Sequence, residues 1–379
     1  MKPNFKIEEN IPYADNGVTT SISEDVLLAM MPYLQESYGD PDEPYAVGVE
    51  AKDVLEEARR DFADLVGCES KNIWFTSGGT ESNNWAIRCQ DDLKYPICSS
   101  IEHLSVLRSV ESKKGFVAPV DENGRMDVDD LKVRLGTGEV SVVSLQFANQ
   151  DTGIMQDLSE VAEACRAASV PFHVDAAMSF GIEPIHMDDM GIDFLTLSSH
   201  KVWGPVGGGL LASSGRYELK PLLLGGEQEG GMRAGPVNMA VVAGFLKAAH
   251  LTRSNREGWK NVKKLRDTFE LNLKEVVGAV TIGGNARRLS NMSMISFPNS
   301  DASFLAAEME RMHKACIGIG GTAEKGSASR VLEAMGFKRT VRESTLRFRF
   351  SPWFDKRTAG ILTCGICSAL REERGRQIV

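Results

Sequence analysis

Between residues 47 and 213, short apolar runs alternate with stretches whose apolar residues recur at helical spacing. This alternation limits the fold more than any other feature of the chain. Val49, Val54, Leu55, Ala58, Phe62 and Leu65 mark a helix over 47–66 that stops at Gly67. Runs at 73–76, 96–99, 140–147, 172–175 and 194–197 have the composition and length of strands, and a helix is predicted over 158–168. Strands separated by helices predict an α/β fold around a mostly parallel sheet. An amphipathic helix over 23–33 opens with Ser23 as its N-cap, and a helix over 237–251 follows a Gly-rich segment. From about residue 255 the pattern changes to a long helix (259–277), a strand (292–297), helices (302–312, 330–335), a strand (344–350) and a closing helix (359–373). The expected division is a large domain over 13–254 and a smaller C-terminal α+β domain over 255–379, joined by residues 1–12.

Composition narrows the class of protein. The 379 residues are 42% hydrophobic and 25% charged, as in ordinary globular proteins. A net charge of -9, from 43 basic against 52 acidic residues, argues against nucleic acid as a partner. No apolar run approaches the ~18 residues of a membrane span, and Met1-Lys2-Pro3-Asn4-Phe5-Lys6 lacks a signal core. Seven scattered cysteines suit reduced thiols in a cytoplasm. Cys364 and Cys367 form a lone CxxC in an apolar stretch, which reads as helix packing, and no metal site is expected.

The apolar runs end in reactive side chains. Phe172-His173-Val174-Asp175 ends in a carboxylate. Phe194-Leu195-Thr196-Leu197 runs into Ser198-Ser199-His200-Lys201 and then a Gly-rich stretch through Gly207-Gly208-Gly209. A strand-end Asp followed 26 residues later by a lysine among hydroxyls is what a pyridoxal phosphate site needs. The amine bonds the cofactor's aldehyde as a Schiff base, and the carboxylate keeps the pyridine nitrogen protonated. Ser-x-His-Lys alone would suit a surface turn as well. Ile73-Trp74-Phe75-Thr76 stops at Ser77-Gly78-Gly79, and Thr80-Glu81-Ser82 opens a helix, so freed N–H groups can hold an anion there. An ordinary strand-turn-helix would read the same way. His103 follows the strand at 96–99, where a helix-capping or surface role competes with a site role, and Gln150 follows the strand at 140–147. Thr80, His103, Gln150, Asp175 and Lys201 thus all stand at strand ends, the edge at which α/β sheets bind ligands.

These residues resemble the cysteine desulfurases, in the class V aminotransferase group of fold-type-I pyridoxal phosphate enzymes, over nearly the whole chain. The resemblance implies the fold-type-I transferase fold, with Lys201 as the cofactor lysine and Ser198 and His200 as contacts to the phosphate. It makes Gly79 and Thr80 part of the phosphate loop, His103 the residue stacked on the ring, and Asp175 the partner of the pyridine nitrogen. Ser344-Thr345-Leu346-Arg347-Phe348 is similar to the segment whose arginine holds the substrate carboxylate. A homodimer is implied too, with the loop at 225–235 reaching the neighbouring subunit.

The departures bear on the reaction. The family has Asn at Gln150, Gln at Met178 and Thr at Pro236. It carries its sulfur-accepting cysteine in a Gly-Ser-Ala-Cys loop, and the matching positions here are Ala323 or Gly321. Cys316 is the nearest cysteine and the remaining candidate sulfur carrier, although its position before the loop suits a buried small hydrophobe. The expected activity is therefore that of a desulfurase-like enzyme on cysteine or a related β-substituted amino acid. Lys201 removes the Cα proton and the C–S bond breaks by elimination. The alternatives are true desulfuration through Cys316, a racemase or transaminase outcome, or a weakly active scaffold for sulfur-acceptor or iron–sulfur assembly partners.

Overall fold

The computed structural model describes residues 11–320 and 329–377. Its centre is a seven-stranded sheet of β1 (Ile73–Thr76), β2 (Tyr95–Ser99), β3 (Phe116–Ala118), β4 (Val140–Gln146), β5 (Phe172–Asp175), β6 (Phe194–Ser198) and β7 (Gly209–Ser213). The spatial order is β1-β7-β6-β5-β4-β2-β3. Strands β3, β2, β4, β5 and β6 run parallel, while β7 is antiparallel to both β6 and β1. Every residue of β4, β5, β6 and β7 is buried, because helices cover both faces of the sheet. That is why these strands appear in the sequence as near-continuous apolar runs.

The helices follow their caps. In α1 (Glu24–Gln35) the Ser23 hydroxyl accepts from the Val26 N–H at 3.3 Å. The helix α2 (Ala46–Val66) ends at Gly67 with φ 75°, a left-handed stop that glycine adopts without strain. Its Phe62, fully buried against Phe75 and Phe245, adds roughly 1.5–3 kcal/mol by removing apolar surface from water. The helix α3 (Gly79–Arg88) starts directly after β1, and α4 (Leu104–Ser112) starts directly after β2. The sequence pattern leaves out α4 and the helix Val128–Leu135, short segments with many polar residues, and β3, an apolar run of only three residues.

A second, fully antiparallel sheet is built from β8 (Val280–Thr281), β9 (Met292–Ser296), β10 (Gly318–Ile319) and β11 (Thr345–Arg349), in the order β10-β11-β9-β8. The long helices Arg256–Val277 and Lys356–Gln377 pack on it around Phe269, Phe348 and Phe350. The N-terminal segment bridges Tyr13 to Cys316 and Asp15 to Arg349. It then delivers Gly17 and Val18 to the edge of the first sheet. Gly321 and Ala323, the positions matching the family's cysteine, lie outside the described residues.

Candidate functional site

The carboxyl ends of β1, β4, β5 and β6 converge on one cavity of about 490 Å³, a size suited to a cofactor. It brings together Gly79, Thr80, His103, Gln150, Asp175, Ser198, His200 and Lys201. Register explains the gathering. Gln146, Asp175 and Thr196 are direct partners across three neighbouring strands, so each chain leaves the sheet at the same level. The turn after β6 then carries Ser199, His200 and Lys201 over the edge.

Lys201 projects into the cavity, and its amine donates to the carbonyls of Gly17 at 2.5 Å and Val18 at 2.8 Å. Among the described residues no carboxylate pairs with it. Burial, reinforced by the guanidiniums of Arg349 and Arg347, pulls the amine down to about 7. Asp175 is buried at the end of β5. It accepts from the Asn83 amide at 2.8 Å on one oxygen and from the Ala177 N–H at 3.0 Å on the other. His103 is both the N-cap of α4 and a wall of the cavity, so the two roles weighed for it coincide. The protein walls around its ring lower its pKa, and Asp175 opposes that effect.

The anion site is complete in its donors. The N–H groups of Gly79, Thr80 and Glu81, the first turn of α3, have no partner among the described residues. Opposite them stand the Ser198 hydroxyl and His200, whose rings and hydroxyls meet at 3.5 Å between Oγ and Nδ1. Burial and the nearby Lys201 lower His200 to about 4, so it is neutral at physiological pH. The Gly-Gly turn is held tight. A Cβ on Gly209 would come within 2.5 Å of the Gly78 backbone, so β7 can pass beside the turn only as glycine. Unpaired N–H donors at one end, a carboxylate at the other and an amine between them fit a phosphate, a pyridine nitrogen and an aldehyde respectively.

Gln150 lines the cavity from a turn organised by its neighbour. Asn149 is fully buried and its Oδ1 accepts from the N–H groups of Asp151 and Thr152, both at 2.9 Å. Met178 packs against the cavity as its side chain requires. Pro236 lines an adjoining cavity with Ser77 and Arg233. The Gly-rich segment before it is anchored more firmly than its composition implies. Glu229, at φ 53°, is buried and accepts from Arg59 at 2.9 and 3.0 Å and from the Phe75 N–H at 2.8 Å.

Two expected residues lie away from the cavity wall. Arg347 is buried on β11 with its guanidinium committed to Asp15 and Asp151, each at 2.8 Å. Cys316 is half-buried beside Tyr13, with its backbone tied to Pro12 and Ala14, and burial raises its thiol. Of the CxxC pair, Cys364 is exposed and Cys367 half-buried, so only the second contributes to helix packing. Among the described residues no cluster of side chains suited to a metal is found.

A further residue beside the cavity is not marked by the sequence pattern. Arg349, two residues beyond Arg347, is fully buried and has no carboxylate partner among the described residues. Its Nη atoms donate to the carbonyls of Asn16 and Lys201, both at 3.1 Å, and rest 3.5 Å from the Met178 sulfur. Burial and the adjacent Arg347 lower even this guanidinium to about 9. The alternating register of a strand was the available signal: Arg347 and Arg349 must share one face of β11.

The sheet edge, the anion-holding helix terminus and the buried lysine define a fold-type-I pyridoxal phosphate enzyme. Comparison with known proteins agrees. The family described as aminotransferase class-V matches residues 12–350, and the chain belongs to it. It is 33% identical to cysteine desulfurase 2 of Trichormus variabilis, over 90% of this chain and 88% of that protein. It is 34% identical to the cysteine desulfurase IscS of Methanosarcina thermophila, over 91% and 88%. Its fold is similar to the NifS-like protein of Rickettsia africae with a TM-score of 0.88 and 28% identity, covering 96% of this chain and 100% of that one. SspA, solved in complex with cysteine, follows with a TM-score of 0.78 and 26% identity, over 90% and 99%. The protein is a pyridoxal-phosphate-dependent enzyme of the cysteine desulfurase-like group. No helix among the described residues is long and apolar enough to cross a membrane.

Proposed function

We propose that the protein cleaves the C–S bond of cysteine, or of a related amino acid with a leaving group on Cβ, by elimination. One observation carries this reading. Lys201, Asp175 and His103 face a common cavity, whereas Cys316 lies outside it and no cysteine occurs from Gly318 to Arg330. Pyridoxal phosphate, when bound, supplies an aldehyde for amines and an electron-withdrawing ring that acidifies the substrate's Cα–H.

The chain's own residues do the rest. The N–H groups of Gly79, Thr80 and Glu81, with Ser198 and His200, hold the phosphate. Asp175, kept in place by Asn83 and the Ala177 N–H, would keep the ring nitrogen protonated. Gln150 and His103, which line the same cavity, would border the bound ring. Lys201, lowered to about 7, is neutral in a large fraction at physiological pH and can take the Cα proton. The Cβ–S bond then breaks and sulfur leaves as sulfide. Hydrolysis of the remaining three-carbon fragment yields pyruvate and ammonia. Arg347 receives the substrate carboxylate in exchange for Asp15, the more exposed of its two partners at 18% against 4%.

The desulfurase alternative needs the Cys316 thiolate at roughly 3–3.5 Å from the substrate sulfur. A raised thiol on a bridged backbone opposes that. A sulfur-acceptor or iron–sulfur scaffold protein would be a partner under that alternative or if the protein is a weakly active assembly scaffold. The same reading takes the protein as a homodimer. Leu28, Met31 and Leu34 on α1, Val47 and Val49 on α2 and Val206 at the cavity are exposed apolar side chains of the kind an interface covers. Incubation of the holoenzyme with L-cysteine and a reductant tests the chemistry. Sulfide and pyruvate in equal amounts support elimination. Alanine in place of pyruvate, with a persulfide on Cys316 by mass spectrometry, replaces it with desulfuration.

A further inference from the structure

His103 is linked to Asp175 through two side chains, Asn83, which holds the Asp175 carboxylate, and Ser105, which has no part in the reaction as described. Asn83, on α3, is 1% exposed, and Ser105, on α4, is 8% exposed. The Asn83 amide donates one hydrogen to Asp175 Oδ2 at 2.8 Å and the other to Ser105 Oγ at 2.9 Å. Ser105 Oγ in turn lies 2.7 Å from His103 Nδ1, and the Ser105 backbone N–H donates to the same nitrogen at 3.2 Å.

The direction of each bond can be worked out from one end. A carboxylate only accepts, so the amide nitrogen of Asn83 must face Asp175 and its orientation is settled. The second amide hydrogen then points at Ser105 Oγ, which accepts it. The serine's single proton is left for His103 Nδ1. The backbone N–H of Ser105 also points there, and a protonated Nδ1 would set two hydrogens against each other. The ring's other nitrogen, Nε2, has no partner among the described residues, and the ring borders the cavity.

We propose that Asn83 and Ser105 are positioning residues that fix His103 as the Nε2–H tautomer, so that the imidazole presents a donor to the cavity and not a base. This deepens the function proposed above and rests on it for its catalytic meaning. His103 holds or donates a proton at Nε2, while removal of the Cα proton falls to Lys201. Asp175 then has a second task, since its carboxylate sets the whole chain of donors. The two donors at Nδ1 also oppose a further proton there, and burial of the ring lowers its pKa independently. Around the imidazole, Asp175 and Asp151 favour its protonation and Lys201 and Arg330 oppose it.

The tautomer can be read without turnover. Histidine ring nitrogens of the cofactor-free protein, labelled with ¹⁵N, give distinct shifts for bare and protonated positions, and His103→Gln assigns the His103 signals. Above the ring's pKa, His103 in the wild type is expected to show a bare Nδ1 and a protonated Nε2. Ser105→Asp replaces the donor by an acceptor, so the pattern should invert, with a pKa rise of roughly 1–2 units from the added carboxylate. Ser105→Ala, a smaller change, should raise the pKa in the same direction while the remaining N–H keeps part of the preference. A wild-type His103 protonated on Nδ1 overturns the proposal whatever the variants do, and so does an unaltered pattern in a folded Ser105→Asp protein. Because no cofactor or substrate enters the measurement, failure here is distinct from failure of the elimination reading, which would appear in the products alone.

Discussion

Replacing Arg349 by Met removes a positive charge that the fold keeps next to the lysine, with no carboxylate paired to it among the described residues. Arg349 donates to the Lys201 carbonyl at 3.1 Å, and it is the first charge, after burial itself, that holds the Lys201 amine near 7. For a unit charge, a separation of about 6 Å at an effective dielectric near 20 corresponds to roughly 3 kcal/mol, or about two pKa units. Burial remains in the variant, so the amine should rise by about one to two units and stay below an ordinary lysine. The neutral fraction at pH 7 would then fall from about half to between roughly a tenth and a hundredth. The assay is the pH dependence of Lys201 modification by an amine-specific reagent on the cofactor-free protein, followed by peptide mapping. Arg349→Lys, which retains the charge, should stay close to the wild type. The substitution also leaves the carbonyls of Asn16 and Lys201 without a donor, at about 1–3 kcal/mol each, partly offset by removing an isolated buried charge. A folded Arg349→Met protein with an unshifted profile would refute the electrostatic argument, as would a wild-type amine that titrates above about 9, close to a free lysine.

Asp175→Asn should still bind cofactor while losing most activity, because an amide cannot hold a proton on the ring nitrogen; wild-type turnover in that variant would show the assignment to be wrong. Glu102, buried behind His103, is raised from 4.5 to about 8 by desolvation, so it folds as the neutral acid. Its contribution to stability is complete below pH 4.5 and is lost as pH rises through 8. Denaturant midpoints of Glu102→Gln and wild type, compared across that window, should show a weaker pH dependence in the variant. Glu229→Gln breaks the pair with Arg59 and should cost about 3–5 kcal/mol, with proteolysis at the Gly-rich segment as a second readout; resistance equal to the wild type would mean that the pair does not anchor the segment.

The sequence by itself was enough for the alternation of strands and helices, the stops at Gly67 and at Ser77-Gly78-Gly79, and the placement of Thr80, His103, Gln150, Asp175 and Lys201 at strand ends. These are local matters. Backbone φ preference, N-caps and the change of apolar period act over a few residues, and a parallel sheet carries all its strand ends to one edge. Which charges meet was decided by the tertiary structure. Asp15 reaches Arg347 across 332 positions of chain and Asp151 across 196, and these two carboxylates leave Arg349, on the same strand face, with none among the described residues. The segment at 225–235 read as a polar loop because nothing near Glu229 in sequence reveals Arg59, 170 residues away. Asn83 looked like one more polar residue at the start of a helix. Only the packing of α3 and α4 against the end of β5 puts its two amide hydrogens between Asp175 and Ser105. A hydrogen bond or an ion pair is set by distances of about 3 Å, and for partners so far apart along the chain such distances exist only once the chain has folded.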